Sequence, residues 1–127
     1  MKIISYITQY LLAVVFLVFG LNGFLNFLHA PMPTGAAGEF FGVLYSSHYL
    51  YVICGFQVIC GALLLLNVYV PLALAMLAPM LVNILSFHFL LAHAGYPIPL
   101  VVVAIWLICV FTVRKAYVGL FMRRAPR

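Results

Sequence analysis

Amide and imidazole side chains recur inside otherwise apolar segments of the sequence, where hydrogen bonding and proton transfer are the chemistry open to them. Asn22, Asn26 and His29 follow one another at i, i+4 and i+7, a spacing that puts them on one stripe of a helix. A polar side chain in hydrocarbon is costly unless it contacts another helix or a wet cavity. The stripe therefore predicts either interhelical hydrogen bonds or a face turned towards a ligand.

A further amide, Gln57, shares a helical face with Cys54 and Gly61. A glycine at this position allows a neighbouring helix to approach closely, and the amide can hydrogen-bond across such a contact. Helix packing is the simpler interpretation of these residues, and ligand binding is the alternative.

The segment 71–93 carries polar residues on two faces. On an ideal helical wheel His88 points roughly 140° away from Asn83. Polar atoms turned to two neighbours predict a central helix around which the others pack. Pro79 lacks an N–H group, so we expect a kink or a loosened turn just before Asn83.

Together these side chains predict a polar pocket in one half of a helix bundle. The candidate ligand-binding residues are Asn22, Asn26, Gln57, Asn83 and His88. A histidine in such a pocket can donate to a quinone or carbonyl oxygen near neutral pH, whereas Gln57 cannot exchange a proton. The alternative is a dry bundle in which the same side chains bond only to one another. The sequence holds no nucleophile–base pair or metal-ligand spacing, so no autonomous catalytic constellation is predicted.

Composition places the chain in the membrane class. Of its 127 residues 69% are hydrophobic and only 6% are charged, whereas charged residues make up roughly 25% of an ordinary soluble domain. Five of the six basic residues follow Val113 and the sixth is Lys2. This layout is typical of a topology signal that keeps both termini cytoplasmic, and not of nucleic-acid binding. Cys54, Cys60 and Cys109 lie in apolar runs without a C-x-x-C pair, which predicts burial.

The elements that must position these residues are four apolar spans, predicted at residues 3–28, 48–66, 71–93 and 97–113. We expect a short interfacial helix over Glu39–Ser47 in the first outer loop, and a basic cytoplasmic tail over residues 114–127. The prediction is thus one all-α domain covering residues 1–127, an integral membrane four-helix bundle. In this arrangement the polar candidates fall in the outer half, and the inner half is mostly Leu, Val and Ala.

Four segments, in order, resemble the DoxX family of small four-helix bacterial membrane proteins. They are FGLNGFLNFL (19–28), PMP (31–33), CGALLLLNVYVPLALAMLAP (60–79) and VNILSFHFLLA (82–92). The resemblance implies a four-helix bundle in the bacterial cytoplasmic (inner) membrane and, as in some members, an accessory role beside thiol, sulfur or quinone redox systems. Similar proteins often carry a glutamate where this chain has Gln57, so a proton-coupled role is not carried over.

The resulting hypothesis is a redox-associated accessory protein that binds a small apolar molecule, with a quinone as the candidate, in the outer half of the bundle. Its expected partners are the lipid bilayer and a membrane redox protein. A structural or assembly subunit without a ligand is the alternative. A small transporter is less favoured, because the buried charges that line a transport path are absent from the predicted spans.

Overall fold

The regular structure of the chain is helical throughout the part that the computed structural model describes, residues 2–28 and 32–127. Six helices occur in these ranges: α1 (Lys2–Leu25), α2 (Gly35–Ser46), α3 (Tyr49–Leu65), α4 (Val70–Ser86, continued by a π-helical turn Phe87–Ala92), α5 (Pro97–Thr112) and a 3₁₀ helix (Arg114–Phe121). The all-α prediction is confirmed.

Two of the described helices are long and apolar enough to cross a membrane alone, α1 and the continuous helix Val70–Ala92. There are up to four candidate spans if α3 is counted with α2, and α5 with the 3₁₀ helix, across bends of 86° and 82°. Apolar side chains of these helices face outwards, with Val52 and Val82 66% and 63% exposed. Such a surface suits lipid, so the chain is a candidate multi-pass membrane protein.

A short helix does lie between α1 and α3, where an interfacial helix is predicted. It begins at Gly35, four residues before the expected start at Glu39, and it ends at Ser46. His48 then adopts a φ of 63°, in the left-handed region that a continuing helix cannot use. The chain turns by 86° at this point, so α2 runs nearly perpendicular to α3.

The helices α1 and α3 run antiparallel and make the most extensive contact between any two described helices. A Cβ atom added to Gly20 would lie 2.9 Å from the Cys54 carbonyl oxygen and 3.1 Å from the Val58 nitrogen. Near the other end of the pair, a Cβ on Gly61 would lie 3.0 Å from the Leu17 nitrogen. The two backbones therefore touch because these positions have no side chain. The predicted packing role of Gly61 is confirmed.

The helices α1, α3, α4 and α5 share one apolar core. Its buried members are Leu12, Ala13, Phe16, Cys60, Leu64, Val70, Ala73, Leu74, Leu77, Leu81 and Cys109. Each of the four helices packs mainly against two neighbours, so that α1 and α4 both contact α3 and α5. The expectation of a central helix over 71–93 is therefore wrong: α4 supplies the most core residues but is one member of a ring.

The loosened turn predicted just before Asn83 is found further along the chain. The helix α4 continues through Pro79 to Ser86, and the wider π-helical turn follows at Phe87–Ala92. This turn lies where α2 packs against the helix, with the rings of Phe40 and Phe87 6.0 Å apart. The contact with α2, rather than the proline, therefore accompanies the change in helical pitch.

The ring of four helices has a terminal end and a loop end. The terminal end holds the start of α1, the end of α3, the start of α4 and the end of α5. The loop end holds the end of α1, α2, the start of α3, the π-helical turn and the start of α5. The hydroxyl oxygens of Ser5 and Thr112, 2.9 Å apart, place the first helix start and the last long-helix end together.

Candidate functional site

Asn22 and Asn26 end the first helix at the loop end. Asn26 adopts a φ of 53°, which asparagine tolerates, and its backbone N–H donates to the Asn22 carbonyl at 2.8 Å. The Asn22 side-chain oxygen accepts from the Leu28 backbone N–H at 2.7 Å. These bonds form a C-terminal cap, which is why α1 ends at Leu25 and not at Leu28. His29, the third member of the predicted stripe, lies outside the described residues.

His88 closes the turn between α4 and α5. Its Nδ1 atom lies 3.0 Å from the Ala94 carbonyl oxygen and donates to it when the proton is on that nitrogen. Gly95 follows with a φ of 69°, and a Cβ atom there would lie 3.2 Å from the same Nδ1 atom. The imidazole thus has a local partner, and Nε2 is the nitrogen left to interact with anything else.

Asn83 lines a groove between α3 and α4. The groove has a volume of about 230 Å³, and its other lining residues are Val52, Ile53, Phe56, Pro79 and Met80. All of these are apolar, so the Asn83 amide is the polar group of the groove. The residues lie in the half of the two helices nearer the loop end, which is the half where the pocket is predicted.

Gln57 is half-buried on α3, next to Phe56 in the chain. Among the described residues its amide takes part in none of the side-chain hydrogen bonds, unlike those of Gln9 and Asn22. Of the five predicted residues, Asn83 lines an apolar groove. Local hydrogen bonds engage Asn22, Asn26 and His88 at helix ends and turns, and Gln57 takes part in neither arrangement. Ligand binding by these residues stays a prediction.

The buried amide of the fold is Gln9, at the terminal end. It is 3% exposed, and its Nε2 atom donates to the Leu64 carbonyl oxygen at 2.9 Å and to the Asn67 side-chain oxygen at 3.0 Å. Leu64 belongs to the last turn of α3, where carbonyl groups lack helical donors. The expectation that this half is mostly Leu, Val and Ala is therefore incomplete. An amide in the first apolar run, well before Asn22 and Asn26, was the available signal.

Two further hydrogen bonds tie the elements of the terminal end to α4. The Trp106 indole Nε1 donates to the Leu74 carbonyl oxygen at 2.9 Å, and the Tyr117 hydroxyl donates to that of Pro71 at 2.8 Å. Tyr117 lies in the 3₁₀ helix, outside the long apolar helices, and burial raises its pKa to about 12. Both acceptors are backbone carbonyls in the first two turns of α4, so these bonds hold α5 and the 3₁₀ helix against that helix.

The three cysteines, Cys54, Cys60 and Cys109, are free and buried, as predicted. No cluster of three or more His, Cys, Asp or Glu side chains suited to a metal ion occurs within residues 2–28 and 32–127. The chemistry that the described site offers is therefore apolar contact with a few hydrogen-bond donors.

These features define a small all-α protein whose apolar, outward-facing helices are suited to a bilayer. No protein-family model, no curated protein and no solved structure matches the chain. The resemblance to DoxX proteins accordingly stays a prediction that rests on the four ordered sequence segments.

Proposed function

We propose that this chain is a four-span integral membrane protein that binds a small apolar molecule of the quinone class in the groove between α3 and α4. The observation that carries the proposal is the pairing of an apolar groove with a single amide, Asn83. An amide N–H at the edge of an apolar slot donates to a quinone carbonyl, while Phe56 and Met80 contact the ring.

The size and setting of the groove suit a ligand dissolved in the bilayer. Its volume of about 230 Å³ is just below the roughly 300–1,000 Å³ of common small-molecule pockets. It therefore accommodates a single ring and leaves a long tail in the lipid. Val52, one of its walls, is 66% exposed, so the ligand enters sideways from the hydrocarbon without crossing water.

The proposed role is accessory rather than catalytic. Asparagine and glutamine amides hold a carbonyl but do not exchange protons at physiological pH. The protein would retain the molecule for a membrane redox partner, which agrees with the role that the DoxX resemblance implies. We also propose that it lies in the bacterial cytoplasmic membrane, as the DoxX resemblance implies, with both termini on the cytoplasmic side, which the basic residues near both ends of the sequence favour.

A structural or assembly subunit is the second candidate, and the local hydrogen bonds favour it. The Asn22 side chain is engaged by the Leu28 N–H, and His88 by the Ala94 carbonyl, so neither requires a ligand. In this reading the groove is filled by lipid, and the terminal-end hydrogen bonds hold the helices together.

Binding of a short-tailed benzoquinone to the protein in lipid nanodiscs separates the two candidates. Asn83→Leu removes one neutral hydrogen bond, so we expect binding about fivefold weaker. Gln57→Leu is the matched control, because Gln57 does not line the groove, and it should bind as the unaltered protein does. Met80→Trp should fill the groove and abolish binding.

The proposal fails if the unaltered protein binds no quinone, or if the Asn83 and Gln57 variants bind equally well. The structural role would be established instead if the protein were recovered in a stable complex with another membrane protein, and mass spectrometry of solvent extracts detected no small molecule.

A further inference from the structure

A second groove lies at the terminal end, between α4, α5 and the 3₁₀ helix. It has a volume of about 300 Å³, and its walls are apolar side chains that include Ala78, Trp106, Val110 and Phe121. This volume is at the lower end of the roughly 300–1,000 Å³ found for small-molecule sites. It is separate from the groove of Asn83, which lies between α3 and α4.

The groove exists because the chain turns at the end of α5 and is held there. The 3₁₀ helix bends by 82° from α5 and is pinned to the start of α4 by the Tyr117–Pro71 hydrogen bond of 2.8 Å. Trp106 is fixed by its bond to the Leu74 carbonyl, and the small side chains of Ala75 and Ala78 leave the space beside it open.

Arg114 lines the same groove and gives it a positive charge. Its guanidinium carbon lies 4.1 Å from the centre of the Phe111 ring, and Nη1 donates to the Phe111 carbonyl oxygen at 2.9 Å. The other guanidinium N–H groups make no hydrogen bond to the described part of the chain. An arginine held this way presents a fixed pair of donors, which suits a phosphate group.

The charge distribution around the groove selects for anions. Five of the six basic residues follow Val113, and the single acidic residue of the sequence is Glu39. Glu39 belongs to α2, which packs at the loop end, away from Arg114. A negatively charged head group therefore meets attraction, without a competing carboxylate, at this end of the molecule.

We propose that this groove binds one acyl chain of an anionic phospholipid whose phosphate is held by Arg114. The apolar walls of α4, α5 and the 3₁₀ helix take the chain, and the guanidinium group takes the phosphate. Such a lipid holds the 3₁₀ helix against α4 by contacts on both sides of the groove. The inference is independent of the quinone proposal, because it concerns a different groove and a different class of molecule.

Trp106 allows a direct test, because it is the only tryptophan in the chain and it lines the groove. The full-length protein is placed in phosphatidylcholine vesicles that contain either brominated phosphatidylglycerol or brominated phosphatidylcholine, and tryptophan quenching is measured. Half-maximal quenching should need about fivefold less of the brominated anionic lipid, the usual contribution of one basic contact.

Two matched variants show whether the preference belongs to Arg114. Arg114→Gln should abolish it, whereas Lys115→Gln removes the adjacent charge, which does not line the groove, and should keep it. Equal quenching of the unaltered protein by both lipids overturns the proposal. So does an equal loss in the two variants, because the attraction is then a general effect of the basic tail.

Ala78→Leu tests the apolar half of the site. The added side chain occupies the groove, so quenching by the brominated anionic lipid should fall while circular dichroism remains that of the unaltered protein. If this variant is folded and quenched to the full extent, the acyl chain lies elsewhere and the proposal is wrong.

Discussion

Gln9 is the side chain on which the polar interior of the terminal end depends. Its two amide hydrogens are donated across the helix contact, to the Leu64 carbonyl and to Asn67. Leu64 lies in the last turn of α3, and Asn67 lies in the turn that follows this helix. A residue that looks out of place in an apolar run thus satisfies the end of a neighbouring helix.

Replacing Gln9 with leucine should lower the free energy of unfolding by about 1–2 kcal/mol, since two hydrogen bonds between α1 and the end of α3 are lost. Gln57→Leu is the control, with an expected change within about 0.5 kcal/mol. Unfolding by denaturing detergent, followed by circular dichroism, measures both. An equal loss in the two variants would show that Gln9 has no special role.

The raised pKa of Tyr117 predicts that the stability of the protein depends on pH in the alkaline range. Its pKa is about 12 in the folded protein, above the ordinary value of 10.0, because burial favours the neutral phenol. The stability that it contributes is therefore complete below pH 10 and is lost as the pH rises through about 12. Tyr117→Phe should remove this component, so the unaltered protein should lose stability relative to the variant as the pH rises from 10 to 12. A difference that does not vary with pH would contradict the assignment.

The candidate site shows what residue patterns reveal and what they omit. The spacing of Asn22 and Asn26 predicts a shared stripe on one helix, but Asn26 lies just beyond the end of α1, because periodicity does not say where a helix stops. Asn26 takes a left-handed conformation, so the two residues form a cap at the helix end. Asn83 could be singled out as an amide in an apolar run. The apolar groove that Asn83 lines could not be predicted, because the groove depends on which face of α3 packs beside α4.

At the scale of the elements, the contact between α1 and α3 depends on positions without side chains. Gly20 lies against the backbone of Cys54 and Val58, and Gly23 against the Cys54 side chain. Backbone atoms cannot move aside as a flexible side chain can. The antiparallel pair is therefore more sensitive to a single added methyl group than the other helix contacts.

Gly20→Ala should lower the free energy of unfolding by about 1–3 kcal/mol, the usual effect of overpacking. Gly55→Ala is a control within α3, because its nearest contact would be the tip of the Phe24 ring at 3.8 Å. That variant should be neutral or slightly stabilising, since alanine favours helix. Thermal unfolding in one detergent compares the two. If both behave alike, the close approach of α1 and α3 is not what stabilises the pair.

The sequence predicts where the helices lie along the chain, but it does not predict which helices pack against each other. Apolar runs and turn residues predict the helices to within a few residues, including the short helix before α3. Hydropathy does not distinguish one apolar helix from another, so it could not show that α1 and α4 occupy opposite corners of the ring. That arrangement follows from the contacts that α1 and α4 each make with α3 and α5.

At the scale of the whole molecule, the helix order places the start of α1 and the end of α5 at one end, with the oxygens of Ser5 and Thr112 2.9 Å apart. The basic residues at both ends of the sequence predict that this end is cytoplasmic. The short helix α2 and its exposed start then face the other side of the membrane.

Cysteine labelling tests this orientation. In a protein whose native cysteines are replaced by alanine, Thr34→Cys should react with an impermeant maleimide in intact cells. Ala125→Cys should react only after the membrane is permeabilised. Labelling of Ala125→Cys in intact cells would mean that the basic end faces outwards.

The long sequence separation of the Gln9 contacts has a consequence for how the protein is made. Its acceptors, Leu64 and Asn67, follow it by 55 and 58 residues. At about 5–20 residues per second, a ribosome needs roughly 3–12 seconds to supply them. During that interval the newly made α1 carries an amide without its final acceptors, and this polar group is costly in hydrocarbon until α3 arrives.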